Sequence, residues 1–135
     1  MNTPTPEIIL LRVQADLVVS RFLLDNFSKP SAELDLAAYH MQQAVEKLIV
    51  HQILVVTTTY KKTHDINRLI AEASKHNILV PMNIKKMGKN LKIYESLGRY
   101  NSAFITDTNR LYEYYKDIEK YFDLIKLNGV LLKKK

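Results

Sequence analysis

His40, Glu46, Lys47 and His51 fall in one stretch of this 135-residue chain, and each can move a proton or meet an anion. His40, Lys47 and His51 share a helix face, with Glu46 beside it. Two histidines on one face raise the question of a metal ion. They are eleven residues apart, so about 16 Å separates them along a helix axis. No H-E-x-x-H spacing occurs, and one ion cannot bridge that distance, so no metal is expected. The chain has no Cys. That removes thiolate nucleophiles, disulfides and Cys-ligated centres, and no cofactor is expected.

Other candidates lie further on. Thr63-His64-Asp65 precedes a short apolar pattern, and Arg99-Tyr100-Asn101 precedes the last one. His40 and His64 either touch a nucleotide or hydrogen-bond a helix end or a loop carbonyl. Arg99 either binds phosphate at a helix start, where free amides also favour anions, or pairs with Glu46 or Glu95. Tyr112, Tyr114, Tyr115 and Tyr121 could stack bases, but their spacing is that of a core face. Lys85, Lys86, Lys89 and Lys92 line an anion path or simply a solvated side.

The elements that must position these groups read as helices. The longest pattern is 34–56, where Leu34, Ala38, Met41, Val45, Leu48 and Val55 step by threes and fours. That spacing makes one stripe of a helix. Ala37, Ala44 and His51 form a seam beside it, and Gln42 and Glu46 fall opposite. Before it, Ile8, Leu11, Ala15, Val18 and Phe22 predict the core stripe of a first helix over 7–26, with Arg12, Asp16 and Arg21 pointing away. Ser31 is the expected N-cap of the long helix, with Glu33 in its opening turn. The Thr run from Thr57 should end it.

Thr63 then reads as the N-cap of a short helix, 64–76, whose apolar side is Ile66, Leu69, Ile70 and Ala73. Asn77 is its expected C-terminal cap. A third long helix should start near Asn83, with Ile84, Met87, Leu91 and Tyr94 inward and Gly88 at a close contact. Thr106 or Thr108 could cap the last helix, followed by Asp107 and the stripe Leu111, Tyr115, Ile118, Phe122, Ile125. Asn128-Gly129 is a stop signal. The sum is all-α: an up-and-down four-helix bundle with an additional short helix.

Apolar residues are 47% and charged residues 25%, with three Gly and four Pro. That composition fits one globular domain rich in helix. Residues 1–6 read as a disordered lead, 7–129 as the domain, and 130–135 as a basic tail that ends in three frayed lysines, Lys133 to Lys135. No run of 18 apolar residues occurs, so no membrane span is expected. The absence of Cys is compatible with a cytoplasmic location. The net charge of +6 serves solubility first and favours an anionic partner second.

Three motifs, in order, carry a family resemblance. His40, Gln43, Ala44, Glu46 and Lys47 fit H-x-x-Q-A-x-E-K. Thr63, His64, Asp65 and Leu69 fit T-H-x-[IL]-x-x-L, and Arg99-Tyr100 fits R-Y-[PN]. Together they resemble the HEPN family (higher eukaryotes and prokaryotes nucleotide-binding domain) over about 7–126. The resemblance implies a helical homodimer of one of two kinds. One is a metal-independent ribonuclease toxin carrying Arg-x(4–6)-His. The other is a non-nuclease module paired with a small nucleotidyltransferase in a toxin–antitoxin-like or nucleotide-handling system.

The ribonuclease branch needs a His after its Arg, as acid or base on the 2′-hydroxyl. Counting from Arg99, those positions hold Phe104, Ile105 and Thr106, and no His follows Arg99 anywhere. The sequence therefore leans away from an enzyme, with no catalytic residue assigned. It also lacks a transferase's Gly-Ser loop followed by D-x-D. The expected site is a nucleotide- or RNA-binding one, drawn from Arg99, Tyr100, Asn101, His64 and Lys47. His40, Gln43, Glu46 and Asp65 are signature residues with a structural reading. A ribonuclease with a divergent site and a plain interaction module are the alternatives.

Overall fold

Thr5 and Pro6 fix where the first helix begins. Pro6 has the backbone angle of a first helical residue, and Thr5 Oγ1 accepts the Ile8 N–H at 3.3 Å. In a computed structural model that describes residues 4–59, 63–93 and 108–134, α1 runs Pro6–Asn26. Three residues then turn the chain back into α2, Pro30–Thr57. Then come α3, Ile66–Lys75, α4, Met82–Ile93, and α5, Thr108–Asn128. The architecture is the expected up-and-down helical bundle with α3 as the short extra helix. Among the described residues no helix is long and apolar enough to cross a membrane.

α2 touches all four other helices, and its sequence allows that. Leu34, Ala38, Met41, Val45 and Leu48 are buried, and so are Ala37, Ala44 and His51 on the adjacent seam. Gln42 and Glu46, opposite the stripe, are buried too, and so is Gln52, because the helix has partners on more than one side. Val55, expected in the stripe, is exposed near the helix end.

α1 is the larger correction. Its buried apolar residues are Ile9, Val13, Leu17 and Leu24. The expected stripe is turned outward: Ile8 is 43% exposed, Leu11 70%, Val18 58% and Phe22 63%. Asp16, expected to point away, is buried with Ser20 against α2. Both faces of α1 carry apolar residues at helical spacing, so periodicity alone cannot choose between them. Partners on α2 choose. Ser20 Oγ donates to Asp16 O at 2.8 Å and to Ala37 O at 3.4 Å.

Local chemistry sets the helix ends, and two of the expected caps are displaced. Ser31 is not the cap of α2; Lys29 holds that place with no side-chain cap. Glu33 instead reaches back, accepting from the Ser28 and Lys29 amides at 3.0 and 2.8 Å and from Ser28 Oγ at 3.0 Å. The Lys29 amide first, then the Ser28 donors, hold its carboxyl below the usual range. Thr58 ends α2 in a left-handed conformation, φ 64°, with its N–H on Leu54 O. α3 is capped by Asp65, not Thr63. Asp65 Oδ1 accepts from the Asn67 N–H at 2.9 Å, and Thr63 Oγ1 accepts from the Asp65 N–H at 3.1 Å.

The C-cap of α3 is His76, and Asn77, the expected cap, follows it in a left-handed conformation at φ 60°. Its N–H bonds Ser74 O while the Ile78 N–H bonds Ala73 O, the paired pattern of a left-handed helix stop. Gly88 is a close contact: a Cβ there would lie 2.7 Å from Ile66 Cγ2. Gly129, φ 77°, ends α5. Thr108 is the first residue of α5 and not its cap; Thr106 and Asp107 lie outside the described residues.

The basic tail is paired with the end of α3 as far as Lys133, and Lys135 lies outside the described residues. Leu79 N–H donates to Leu131 O and Lys133 N–H to Asn77 O, and Ile78 and Leu132 form an antiparallel bridge. Gln52 ties this segment to α2, donating to Gly129 O at 2.9 Å and accepting from the Leu131 N–H at 2.8 Å.

Candidate functional site

Just over one turn of α2 carries Gln43, Glu46 and Lys47 to the same edge of the bundle. The link before α3 brings Thr63 and His64 over that edge. α1 supplies Ile9 and Arg12 from the other side. Together with Pro4 and Val50 they line a cleft of about 160 Å³. The α3 cap fixes the link, since Thr63 and Asp65 are tied to each other and to the first turn. Asp65 is the N-cap of α3.

The polar groups of the cleft are interlocked. His64 Nδ1 lies 3.4 Å from Glu46 Oε2, with the imidazole side chain 81% exposed and the carboxylate 6%. Lys47 Nζ donates to Asp16 Oδ2 at 2.5 Å. The other Asp16 oxygen meets His40 Nδ1 at 3.0 Å. Asp16 is thus a buried carboxylate shared between Lys47 and His40, and it fixes the lysine's stem along the cleft wall. His40 stands edge-on to Tyr39, ring centroids 5.4 Å apart, and is not among the cleft's lining residues.

The HEPN domain family model matches residues 24–128. The chain belongs to the HEPN domain family. No curated protein and no solved structure matches it significantly. The matched segment contains His40, Gln43, Glu46, Lys47, Thr63, His64 and Asp65. It leaves out nearly all of α1, and with it Arg12 and Asp16.

Five residues that carry the resemblance, Gln43, Glu46, Lys47, Thr63 and His64, converge on one cleft, and Ile9 and Arg12 of α1 complete it. Asp16 lies outside the lining and holds Lys47; neither Arg12 nor Asp16 was expected at the site. The signal that could have found them is Asp16 lying between Val13 and Leu17, with Ser20 a turn later. A buried acid needs a cation, and the signature supplies Lys47. Arg99, Tyr100, Asn101 and the three positions Phe104, Ile105 and Thr106 lie outside the described residues.

His51 belongs to a different place. It is buried, its Nδ1 3.1 Å from Gln52 Nε2. Burial pushes its pKa down, with Glu7 pulling weakly the other way. The tyrosines of α5 face inward, as their spacing predicted. Tyr115 and Tyr121 are buried. Tyr112 donates to Leu24 O and Asp25 Oδ1, and Tyr114 accepts from Asn90 Nδ2 at 2.7 Å. Among the described residues no cluster of His, Asp and Glu is arranged to hold a metal ion.

The cleft can hold an anion and orient it. Arg12 has no ion-pair partner among the described residues, so its charge is available. Lys47 adds a second cation, and the His64 ring and Gln43 amide add further hydrogen-bonding groups. Glu46 opposes them and sets a limit: an anion must sit toward Arg12 and Lys47 and away from the carboxylate.

Proposed function

We propose that this HEPN domain is a binding module whose Arg12–Lys47–His64 cleft takes the phosphate of a nucleotide or of RNA. The convergence of the signature residues Gln43, Glu46, Lys47, Thr63 and His64 with Arg12 on one cleft carries the reading. Its volume supports the phosphate end of the ligand. Sites that enclose a whole drug-sized molecule run to about 300–1,000 Å³, and this one is about 160 Å³. Base and ribose would lie outside, along α2 or the link. The module would work in the cytoplasm, as a homodimer, beside a small nucleotidyltransferase that supplies the chemistry. Both partnerships follow from the resemblance.

A nuclease role is set aside on the sequence. Phe104, Ile105 and Thr106 occupy the positions where the family's ribonucleases carry His. One experiment tests both points. Titration of purified protein with AMP and with a short single-stranded RNA, without metal, should show binding. Arg12→Ala should weaken it by roughly tenfold to a hundredfold, the worth of one charge-assisted contact. The RNA should stay intact, with wild type and Arg99→Ala alike. No binding, or binding indifferent to Arg12 and Lys47, would leave a plain interaction module. Cleavage lost in Arg99→Ala would restore the ribonuclease.

A further inference from the structure

Glu46 is an odd member of an anion site, and His64 accounts for it. His64 Nδ1 lies 3.4 Å from Glu46 Oε2, close enough for an ion pair once the ring is charged. Glu46 is rooted in the middle of α2 and is buried, so its carboxylate stays where it is. His64 is exposed and lines the same cleft. The charged groups around the ring come from three elements. α2 supplies Glu46 and Lys47, and α1 supplies Arg12, with Asp16 holding Lys47. The start of α3 supplies its cap Asp65, with Arg68 3.9 Å from it. Lys61 and Lys62 precede His64 and lie outside the described residues. Among the described residues, the two cations of the cleft are thus matched by Glu46 and Asp16.

We propose that anion binding in this cleft takes up a proton at His64, so that the site fills as the pH falls. The inference rests on the phosphate reading above and adds the residue that couples that ligand to pH. An anion seated by Arg12 and Lys47 brings a second negative charge to a ring that already has Glu46 beside it. Negative neighbours favour the charged form of an imidazole, the side chain suited to gain a proton between about pH 5 and 8. The proton comes from the buffer and goes to the ring, whose Nδ1–H then donates to Glu46 Oε2. Linkage makes the effect reciprocal: whatever the anion adds to proton binding, the proton adds to anion binding. The buried carboxylate then has two roles. With a neutral ring it repels the ligand, and with a charged ring it holds the imidazolium at the cleft.

Calorimetric titration of the full chain with sulfate tests this. Sulfate keeps both charges across the range, whereas a phosphate monoester changes charge near about pH 6. Affinity for sulfate should rise about threefold to tenfold from about pH 8 to about pH 6, tenfold per pH unit being the limit for one proton. The heat should also differ between two buffers of unlike ionisation enthalpy, as proton uptake requires. His64→Gln should bind with a flat pH profile and no buffer dependence. His64→Lys, charged throughout, should bind at about pH 8 as tightly as wild type does at about pH 6. The side chain is exposed, so both variants should fold, and circular dichroism checks that. Sulfate binding by wild type that ignores pH would overturn the inference and leave the phosphate reading standing. A pH slope that survives in His64→Gln would overturn the assignment to His64. No sulfate binding at either pH would overturn the phosphate reading, and the inference with it.

Discussion

Leu11 and Asp16 sit little more than a turn apart on α1, and each has the surroundings the other would be expected to choose. Leu11 is 70% exposed and Asp16 is 7% exposed. The inner face keeps its acid because α2 meets it with two donors, Lys47 at 2.5 Å and His40 at 3.0 Å. The outer face keeps its leucine in water because nothing among the described residues covers it. Burial here follows the supply of partners rather than the polarity of the side chain. A buried charge with two partners is tolerated, and a stripe of exposed apolar side chains marks a partner still missing.

Removing apolar volume from the inner face strains that contrast most. Leu17, on the same helix as Leu11, is 3% exposed. Leu17→Ala should cost about 2–5 kcal/mol in urea unfolding, the usual sum of lost transfer energy and cavity. A cost near zero would mean that α1 packs on its other face.

The polar half of the inner face comes next. Asp16→Ala leaves Lys47 and His40 without their shared acceptor. Their side chains are 30% and 25% exposed, so water relieves part of the loss. The expected cost is about 1–3 kcal/mol. Asp16→Leu combined with Lys47→Met should recover more than the two single costs predict, because neither variant group then lacks a partner. Strict additivity would say that the pair is not coupled.

A smaller effect is expected from His51. Its pKa is pushed below the ordinary 6.5 by burial. The folded chain therefore binds a proton less readily than the unfolded chain. Stability from this group is complete above the unfolded value and is lost as pH falls from about 6.5 toward the lower folded value. His51→Gln should flatten the melting temperature across that window. An unchanged slope would place the acid sensitivity in other groups, such as the depressed Glu33 and Asp25 carboxyls, whose stability is lost as pH falls through still lower values.

The same supply of partners decides how much of the molecule is legible in its sequence. The α2 stripe is legible because its apolar residues are numerous and regular. The stops at Asn77 and Asn128-Gly129 are legible because left-handed backbone favours those residue types. Gly88 is legible for a related reason, since a glycine inside a helix costs about 1 kcal/mol and needs a cause. The cleft is half legible: Gln43, Glu46, Lys47 and His64 come from the signature. Arg12 and Asp16 do not, since α1 offers two apolar faces and the more regular one is turned to solvent. The tail is illegible because three lysines hide the pairing of Leu131 and Leu132, which depends on Gln52, far away in sequence.

The smallest expected effect separates the two faces of α1 most cleanly. Leu11→Ala alters the same side chain as Leu17→Ala, on the same helix, one face away. In the monomer Leu11 is already in water, so unfolding exposes little more of it, and alanine is a slightly better helix former. The change in monomer stability should fall within about 0.5 kcal/mol of zero. A Leu11→Ala cost near zero, set against a Leu17→Ala cost of about 2–5 kcal/mol, separates the face turned to water from the face that holds the fold. Equal costs at the two positions would mean that both faces of α1 are packed.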